Sequence, residues 1–107
     1  MGEDKRRYPR RSLDVKVNYD FRAYAHAKDI SYGGICLITD RKLEENKMFT
    51  LQFFLPGDAE PMALHGKIAW IRSVGEHHYE NGISFWRVDE ETEKRLVEYL
   101  KQSPLKD

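Results

Sequence analysis

The stretch LDVKVNYDF, residues 13–21, alternates apolar and polar side chains, and this alternation decides the fold class. The apolar members occupy the odd positions from Leu13 to Phe21, and the polar members occupy the even ones. A period of two is typical of a half-buried β-strand, and no helical template fits it. Asp20 marks a bend, so a second strand is predicted from about residue 22 to residue 28.

Four more segments of extended character follow along the chain. They are GICLIT (34–39), MFTLQFFL (48–55), MALHGKIAWIRSV (62–74) and HYENGISFWRV (78–88). Pro56–Gly57–Asp58 is a strong turn signal, and a hairpin around Gly75 joins the last two segments. Consecutive strands joined by short turns predict an antiparallel arrangement.

The period of the pattern changes after residue 88. Asp89 is a favourable N-cap, and the acidic residues that follow it suit the positive end of a helix dipole. Leu96, Val97 and Leu100 form an apolar stripe, and Pro104 ends the pattern. Five or six strands followed by one helix predict a mainly β protein, in which a small antiparallel barrel (12–88) carries a C-terminal α-helix (89–102).

The composition predicts a single domain, residues 1–107. A chain of 107 residues, 40% apolar and 34% charged, can bury one core but not two. Its apolar runs are too short to span a bilayer, and no secretory signal follows Met1, so membrane insertion is not expected. Cys36 is the single cysteine, which indicates a packed strand residue and a reducing, cytoplasmic compartment.

Basic residues are concentrated before the first strand. The segment KRRYPRR, residues 5–11, carries five positive charges and no negative one, although 18 basic residues balance 18 acidic ones overall. Proteins that coat nucleic acid usually have a basic domain throughout, so binding of DNA or RNA is not expected. This basic segment instead predicts an N-terminal arm, residues 1–11, that contributes to a local binding site for a compact anion.

Catalytic arrangements find no support in the sequence. The histidines do not occur with carboxylates or cysteines at metal-ligand spacings, so no metal is expected; they are His26, His65, His77 and His78. No GxSxG, P-loop or nucleophile with its base is present. The chain is therefore not expected to be an enzyme or to hold a cofactor.

The stretch DISYGG, residues 29–34, allows two interpretations. In one, it is a tight turn in which Asp29 bonds its own backbone and the glycines take positive φ. In the other, the Asp29 carboxylate accepts hydrogen bonds from guanine, Ser31 adds a hydroxyl and Gly34 leaves room for a base. The arginines before the first strand allow a similar choice, between a solvated tail and forks that bind phosphate or guanine.

The two motifs together resemble those of PilZ domains. RRYPR, residues 6–10, matches the RxxxR motif of that family, and DISYGG matches its [D/N]xSxxG motif. The stretches GKIAW and NGISF also resemble segments of the family, and the resemblance covers roughly residues 3–100. It implies a six-stranded antiparallel β-barrel that binds the bacterial second messenger cyclic di-GMP, with a flexible basic N-terminal arm.

Two arginine pairs, one residue apart, satisfy the RxxxR spacing. The family usually has an aromatic residue two positions before the second arginine, and Tyr8 meets that condition for Arg10. The resemblance therefore assigns Arg6 and Arg10 to the ligand, with Lys5 and Arg7 as helpers.

By the same resemblance, each motif residue has an expected role. Arg6 and Arg10 would bind guanine edges and phosphates from an N-terminal arm that moves over the barrel. Asp29 and Ser31 would bond one guanine from the barrel side, and Gly34 would keep the floor of the site clear. Trp70, in GKIAW, either stacks on a base or is a core or rim tryptophan.

The resemblance also implies a stand-alone receptor or adaptor. Cyclic di-GMP would order the arm, and an unidentified effector protein would read the change; the chain would be a monomer or a homodimer. Two rivals remain open. One is a small barrel that binds single-stranded nucleic acid through Tyr8 and Trp86, and the other is a PilZ-type module that makes only protein contacts.

Overall fold

The structure is a computed structural model, and it describes residues 10–102. Its strands are β1 (Arg11–Ser12), β2 (Lys16–Tyr19), β3 (Ala23–Ile30), β4 (Gly34–Thr39), β5 (Met48–Phe53), β6 (Met62–Gly75) and β7 (His78–Trp86), and its helix is α1 (Glu90–Gln102). The predicted segments are present, but β2 covers only Lys16–Tyr19 of the predicted first strand (13–21), and two residues of the DISYGG stretch extend β3 beyond its predicted end.

Six of the strands close into a barrel. The hydrogen-bonded order is β3, β2, β5, β6, β7, β4, and β4 pairs again with β3. Every pairing is antiparallel, which confirms the predicted fold. The short β1 pairs with the far end of β3, along the same edge that β2 occupies nearer its start.

The alternation that predicted the first strand is confirmed except at its last position. Leu13, Val17 and Tyr19 are buried at 3%, 0% and 6% exposure. Phe21 is 68% exposed, because it lies in the β2–β3 hairpin, where its φ is 63°. Beyond the last paired residue, strand alternation no longer determines which way a side chain points.

The interior of the barrel is filled by alternate side chains from its strands. Leu51 and Met62 are fully buried, and Ile83 is 3% exposed. The Tyr19 and Phe49 rings meet edge to face, with centroids 5.6 Å apart. Burial raises the pKa of the Tyr19 hydroxyl.

The helix is capped at its N-terminus and packs on the barrel through residues near its middle. Asp89 caps it, because its Oδ1 accepts from the Thr92 backbone N–H at 2.8 Å, and this bond lowers the pKa of Asp89. Leu96 is 1% exposed and joins the barrel core. Arg95 donates to the Asp58 carboxylate at 2.7 Å, which lowers the pKa of that group. No helix within residues 10–102 has the length and apolar character needed to cross a bilayer.

Candidate ligand-binding site

A bulge near the end of β3 turns two consecutive side chains outward. Ala27 pairs with Leu37 and Asp29 pairs with Cys36, so β3 has one more residue than β4 at this point. Ala27 and Ile30, on either side, are both fully buried. Lys28 and Asp29 therefore share the outer face of the barrel, as bulges allow.

A second bulge, in β6, does the same for Trp70. Ile68 pairs with Ile83 and Trp70 pairs with Gly82, so Ala69 is the extra residue. In a strand without a bulge, Trp70 would continue the inward series of even positions that ends at Ile68. The bulge instead places Trp70 on the outer surface.

The strand β1 carries Arg10 to the end of β3. Ser12 lies opposite Asp29 and Arg11 lies opposite Ile30, so the preceding Arg10 reaches the DISYGG stretch. Its Nη1 donates to Asp29 Oδ1 at 2.6 Å. The pair is partly exposed, at 38% for the arginine side chain and 22% for the aspartate, and so both groups remain accessible. One residue from each motif thus lies in direct contact.

The turn of DISYGG is shorter than the stretch itself. Asp29 belongs to β3 and Gly34 to β4, so only residues 31–33 turn. Ser31 closes the turn, because its Oγ accepts from the Gly33 backbone N–H at 3.3 Å. The expectation that both glycines take positive φ is wrong, since Gly57 is the one glycine with positive φ among residues 10–102.

Gly34 has a structural reason to be glycine. A Cβ built on it would lie 2.3 Å from the carbonyl oxygen of Ile83 on the paired strand. Gly33, by contrast, faces open space, with nothing within 4 Å of an added Cβ. The absence of a side chain at Gly34 is therefore required by the close approach of β4 and β7, independently of any ligand.

Two adjacent cavities open over this face. The first, here called the motif cavity, has a volume of about 260 Å³ and is lined by Arg10, Ser31, Gly34 and Trp70 among others. The second, here called the cationic cavity, has a volume of about 360 Å³ and is lined by Arg10, Lys28, Asp29, Cys36, Trp70, Arg72 and Glu80. Because Arg10 and Trp70 line both, the two cavities form one continuous surface.

The Trp70 indole rests against the backbone of β7. An added Cβ on Gly82 would lie 2.2 Å from two atoms of the ring, so the tryptophan needs glycine at that position. The Arg72 guanidinium lies 5.9 Å from the ring centroid, within range of a cation–π contact. Trp70 is therefore a partly buried aromatic wall between the two cavities.

Three ionic residues that the sequence did not single out complete the cationic cavity. Glu80 Oε2 accepts from Lys28 Nζ at 2.8 Å, and its Oε1 accepts from Arg72 Nη2 at 2.6 Å. These bonds lower the pKa of Glu80, and the bond to Glu80 raises the pKa of Lys28. A sequence signal existed, because Lys28 adjoins the DISYGG motif and Arg72 follows Trp70 by two positions. Their common partner Glu80 lies near Arg72 in the β6–β7 hairpin but far from Lys28 in the chain.

Cys36 is buried, as its strand assignment predicted, but it faces the cationic cavity and not the barrel interior. It is 3% exposed and lies opposite Gly82. Burial raises the pKa of its thiol to about 11, and the nearby Asp29 and Glu80 carboxylates add to the effect. The thiol is therefore neutral at physiological pH and contributes no charge to the cavity.

Two larger concavities fit an anionic ligand less well. One, of about 950 Å³, runs beside the helix and is lined by four carboxylates and one cation, Lys94, so its net charge is negative. The other, of about 600 Å³, is lined mainly by aromatic and amide side chains, with Lys16 as its one cation. Within residues 10–102, no cluster of three or more metal-ligating side chains occurs. The motif and cationic cavities, with three cations, are the best candidate for an anion site.

Of the residues assigned from the sequence, five fall on this surface. They are Arg10, Asp29, Ser31, Gly34 and Trp70. Lys5, Arg6 and Arg7 lie outside the described residues.

Solved structures with a similar fold include proteins from Bacillus subtilis and Escherichia coli. The Bacillus subtilis inhibitor of motility MotI/DgrA matches with a TM-score of 0.76 and 15% identity, over 89% of this chain and 49% of that one. YcgR from Escherichia coli, solved in complex with c-di-GMP, matches with a TM-score of 0.74 and 17% identity, over 91% of this chain and 45% of that one. The chain thus spans about half the length of each.

A search among curated proteins finds no match. The family model of the PilZ domain matches residues 4–102, which is nearly the whole chain. The match includes both sequence motifs, the closed barrel and the C-terminal helix. The chain therefore belongs to the PilZ domain family.

Proposed function

We propose that this chain is a receptor for cyclic di-GMP, which it binds across the motif and cationic cavities. The observation that carries the proposal is the 2.6 Å contact between Arg10 and Asp29, because it joins the RxxxR and DxSxxG motifs at one accessible surface. Membership of the PilZ family supports the choice of ligand, as does the complex formed by YcgR with c-di-GMP.

Binding requires an exchange of partners at this contact. The Asp29 carboxylate is an acceptor that suits the N1–H and N2–H₂ donors of guanine, and at present Arg10 donates to it. The Arg10 guanidinium in turn suits guanine O6 and N7 or a phosphate, which it can grip bidentately. When the ligand arrives, both groups turn from each other to the nucleotide, so neither charge is left unpaired.

The expected affinity follows from a small number of contacts. An arginine–guanine pair contributes roughly 1–3 kcal/mol of discrimination, and stacking of a base on Trp70 contributes about as much. Loss of the Arg10–Asp29 bond and the ordering of basic residues around the ligand oppose binding. The balance favours a dissociation constant of about 1 μM, which suits a reversible sensor.

The change that signals ligand binding to a partner occurs in the basic segment, residues 5–11. Lys5, Arg6 and Arg7 precede Arg10 closely in sequence, so they add cations to the same ligand when Arg10 engages it. A segment ordered over the nucleotide changes the shape and charge of one surface. An effector protein that recognises this surface would convert ligand binding into a signal, as an adaptor does.

The test is calorimetric titration of cyclic di-GMP into the wild-type protein and into Arg10→Ala. We expect affinity to fall by at least about a hundredfold in the variant, because it loses charge-assisted bonds to the nucleotide. Arg22→Ala is the matched control, since Arg22 is an exposed arginine in the hairpin at the other end of β3. Circular dichroism should be the same for all three proteins, and an unchanged affinity in Arg10→Ala would refute the proposal.

Parallel titrations separate the proposal from its rivals. A barrel for single-stranded nucleic acid would bind a poly-deoxynucleotide with a steep dependence on salt. A module that makes only protein contacts would bind neither that polymer nor cyclic di-GMP. The receptor should bind cyclic di-GMP and leave the polymer free in solution.

A further inference from the structure

Glu80 holds two cations that come from different strands. Arg72 is its paired neighbour on β6, and Lys28 reaches it from the bulge of β3. Each carboxylate oxygen accepts from one of them, at 2.6 Å and 2.8 Å. The Glu80 side chain is 10% exposed, whereas Lys28 and Arg72 are 50% and 64% exposed. The carboxylate is thus at the base of the cationic cavity, with two accessible cations above it.

The charges of this cavity favour an anion. Arg10, Lys28 and Arg72 provide three positive charges, and Asp29 and Glu80 provide two negative ones, so the lining has one excess positive charge. The contact with Glu80 uses one of the five N–H donors of the Arg72 guanidinium and one of the three donors of the Lys28 ammonium. Both groups can therefore donate to an anionic oxygen of a ligand while they remain bonded to Glu80.

The position of the cavity suggests which part of the ligand it receives. It adjoins the motif cavity, and Arg10 and Trp70 line both. Arg72 lies 5.9 Å from the Trp70 ring, so a nucleotide stacked there would bring its backbone next to the Glu80-bound cations. A ligand that places one guanine in the motif cavity can therefore place a phosphate in the cationic cavity.

We infer that Lys28 and Arg72 form a phosphodiester subsite and that Glu80 is the built-in competitor for both cations. The inference rests on the proposed function and extends it to ligand selection. A cyclic dinucleotide has a second phosphodiester, which can bind the remaining donors of the two cations in competition with Glu80, whereas a cyclic mononucleotide has only one phosphodiester in total. The subsite therefore selects ligands with two phosphodiesters.

A purely structural role for this ion cluster makes a different prediction. If Lys28, Glu80 and Arg72 only join β3, β6 and β7, removal of one cation would weaken the binding of every ligand to a similar degree. If they bind the second phosphodiester, removal would weaken cyclic di-GMP and leave cyclic GMP unaffected. The ratio of the two affinities distinguishes these roles.

The experiment compares Lys28→Gln, Arg72→Gln and Glu80→Gln with the wild-type protein, and uses Arg22→Gln as a control with the same change of charge. Each of the first two variants leaves Glu80 with one cation, so the fold should persist. Cyclic di-GMP is titrated by calorimetry, and cyclic GMP by amide chemical shifts.

We expect Lys28→Gln and Arg72→Gln each to lose about tenfold in affinity for cyclic di-GMP, with cyclic GMP unaffected. Glu80→Gln should bind cyclic di-GMP about threefold more tightly, because a competing negative charge is removed. Arg22→Gln should match the wild type.

Other outcomes separate the two proposals. If Lys28→Gln and Arg72→Gln bind within about twofold of the wild type while Arg10→Ala does not bind, the subsite is refuted and the receptor function stands. Equal losses for both nucleotides would assign the cluster a structural role instead. Unchanged or weaker binding by Glu80→Gln would exclude its role as competitor. A wild-type protein that does not bind cyclic di-GMP would overturn both proposals.

Discussion

The strands β2 and β5, here called the regular strands, keep strict alternation along their length, whereas their neighbours in the barrel, β3 and β6, here called the bulged strands, are each interrupted by a bulge. In the regular strands, inward residues such as Val17 and Leu51 are fully buried, and the outward ones include the exposed polar residues Lys16 and Gln52. Around the bulged strands, the outer face of the barrel has an arginine–aspartate pair, a buried glutamate with two cations and a tryptophan packed on glycine.

This difference shows how one barrel provides both a core and a site. In a regular strand, residues that are neighbours in sequence point to opposite faces of the sheet. A bulge places two consecutive residues on the same face, as with Lys28 and Asp29, so functional groups are concentrated there. The three predictions that follow compare how much a substitution changes stability at the candidate site and at the hairpin far from it.

The largest effect is expected at the contact between β4 and β7. Gly34→Ala should lower the free energy of unfolding by about 3 kcal/mol, because its new Cβ would meet the Ile83 carbonyl oxygen at 2.3 Å and no side-chain rotation can relieve the clash. Gly33→Ala is the matched control, with open space around its Cβ, and should change stability by less than about 0.5 kcal/mol. Urea denaturation measures both, and equal stabilities would contradict the close approach of the strands.

An intermediate effect is expected from Glu80, and it should depend on pH. Bonds from Lys28 and Arg72 lower the pKa of Glu80 in the folded protein below its ordinary value of 4.5. A lowered folded-state pKa stabilises the fold above the ordinary value, and this stabilisation is lost as pH falls through the folded value. The wild type should therefore exceed Glu80→Gln in stability at about pH 7, by a margin that shrinks at about pH 3.5.

Denaturant titrations at the two pH values measure that margin. Asp58 and Asp89 also have lowered pKa values, but they are present in both proteins and cancel in the comparison. A margin that does not depend on pH would mean that the Glu80 carboxylate is not held by its two cations.

The smallest effect is expected at the β2–β3 hairpin, at the end of β3 far from its bulge. Phe21 has a φ of 63° and is 68% exposed, so its side chain offers little packing in return for the backbone strain. Phe21→Gly should raise the free energy of unfolding by about 0.5–1 kcal/mol, since glycine adopts positive φ without a Cβ penalty. Thermal unfolding measures this gain, and a loss of stability would indicate that the exposed ring makes a contact worth more than the strain.

Much of the fold was predictable because it depends on short-range patterns. The alternation from Leu13 to Tyr19, the turn at Pro56–Gly57–Asp58 and the N-cap at Asp89 each specify local structure through neighbours in sequence. Phe21 was not predictable in this way, because the alternation continues into a residue whose backbone already turns.

The candidate site was predictable only in part. Asp29, Ser31 and Arg10 were chosen from the motifs, and the structure brings Arg10 into contact with Asp29. The motif pattern does not show that Glu80 lies beside them, because that depends on how β3, β4 and β7 align.

By itself, the sequence determined the strand-rich architecture, the C-terminal helix and the two motifs, because these are recorded in periods and spacings of a few residues. Only the tertiary structure decided that Trp70 faces outward and that Lys28, Arg72 and Glu80 form one ionic cluster. The physical reason is that one extra residue in a strand reverses the direction of each side chain after it, and whether a residue is extra depends on the paired strand.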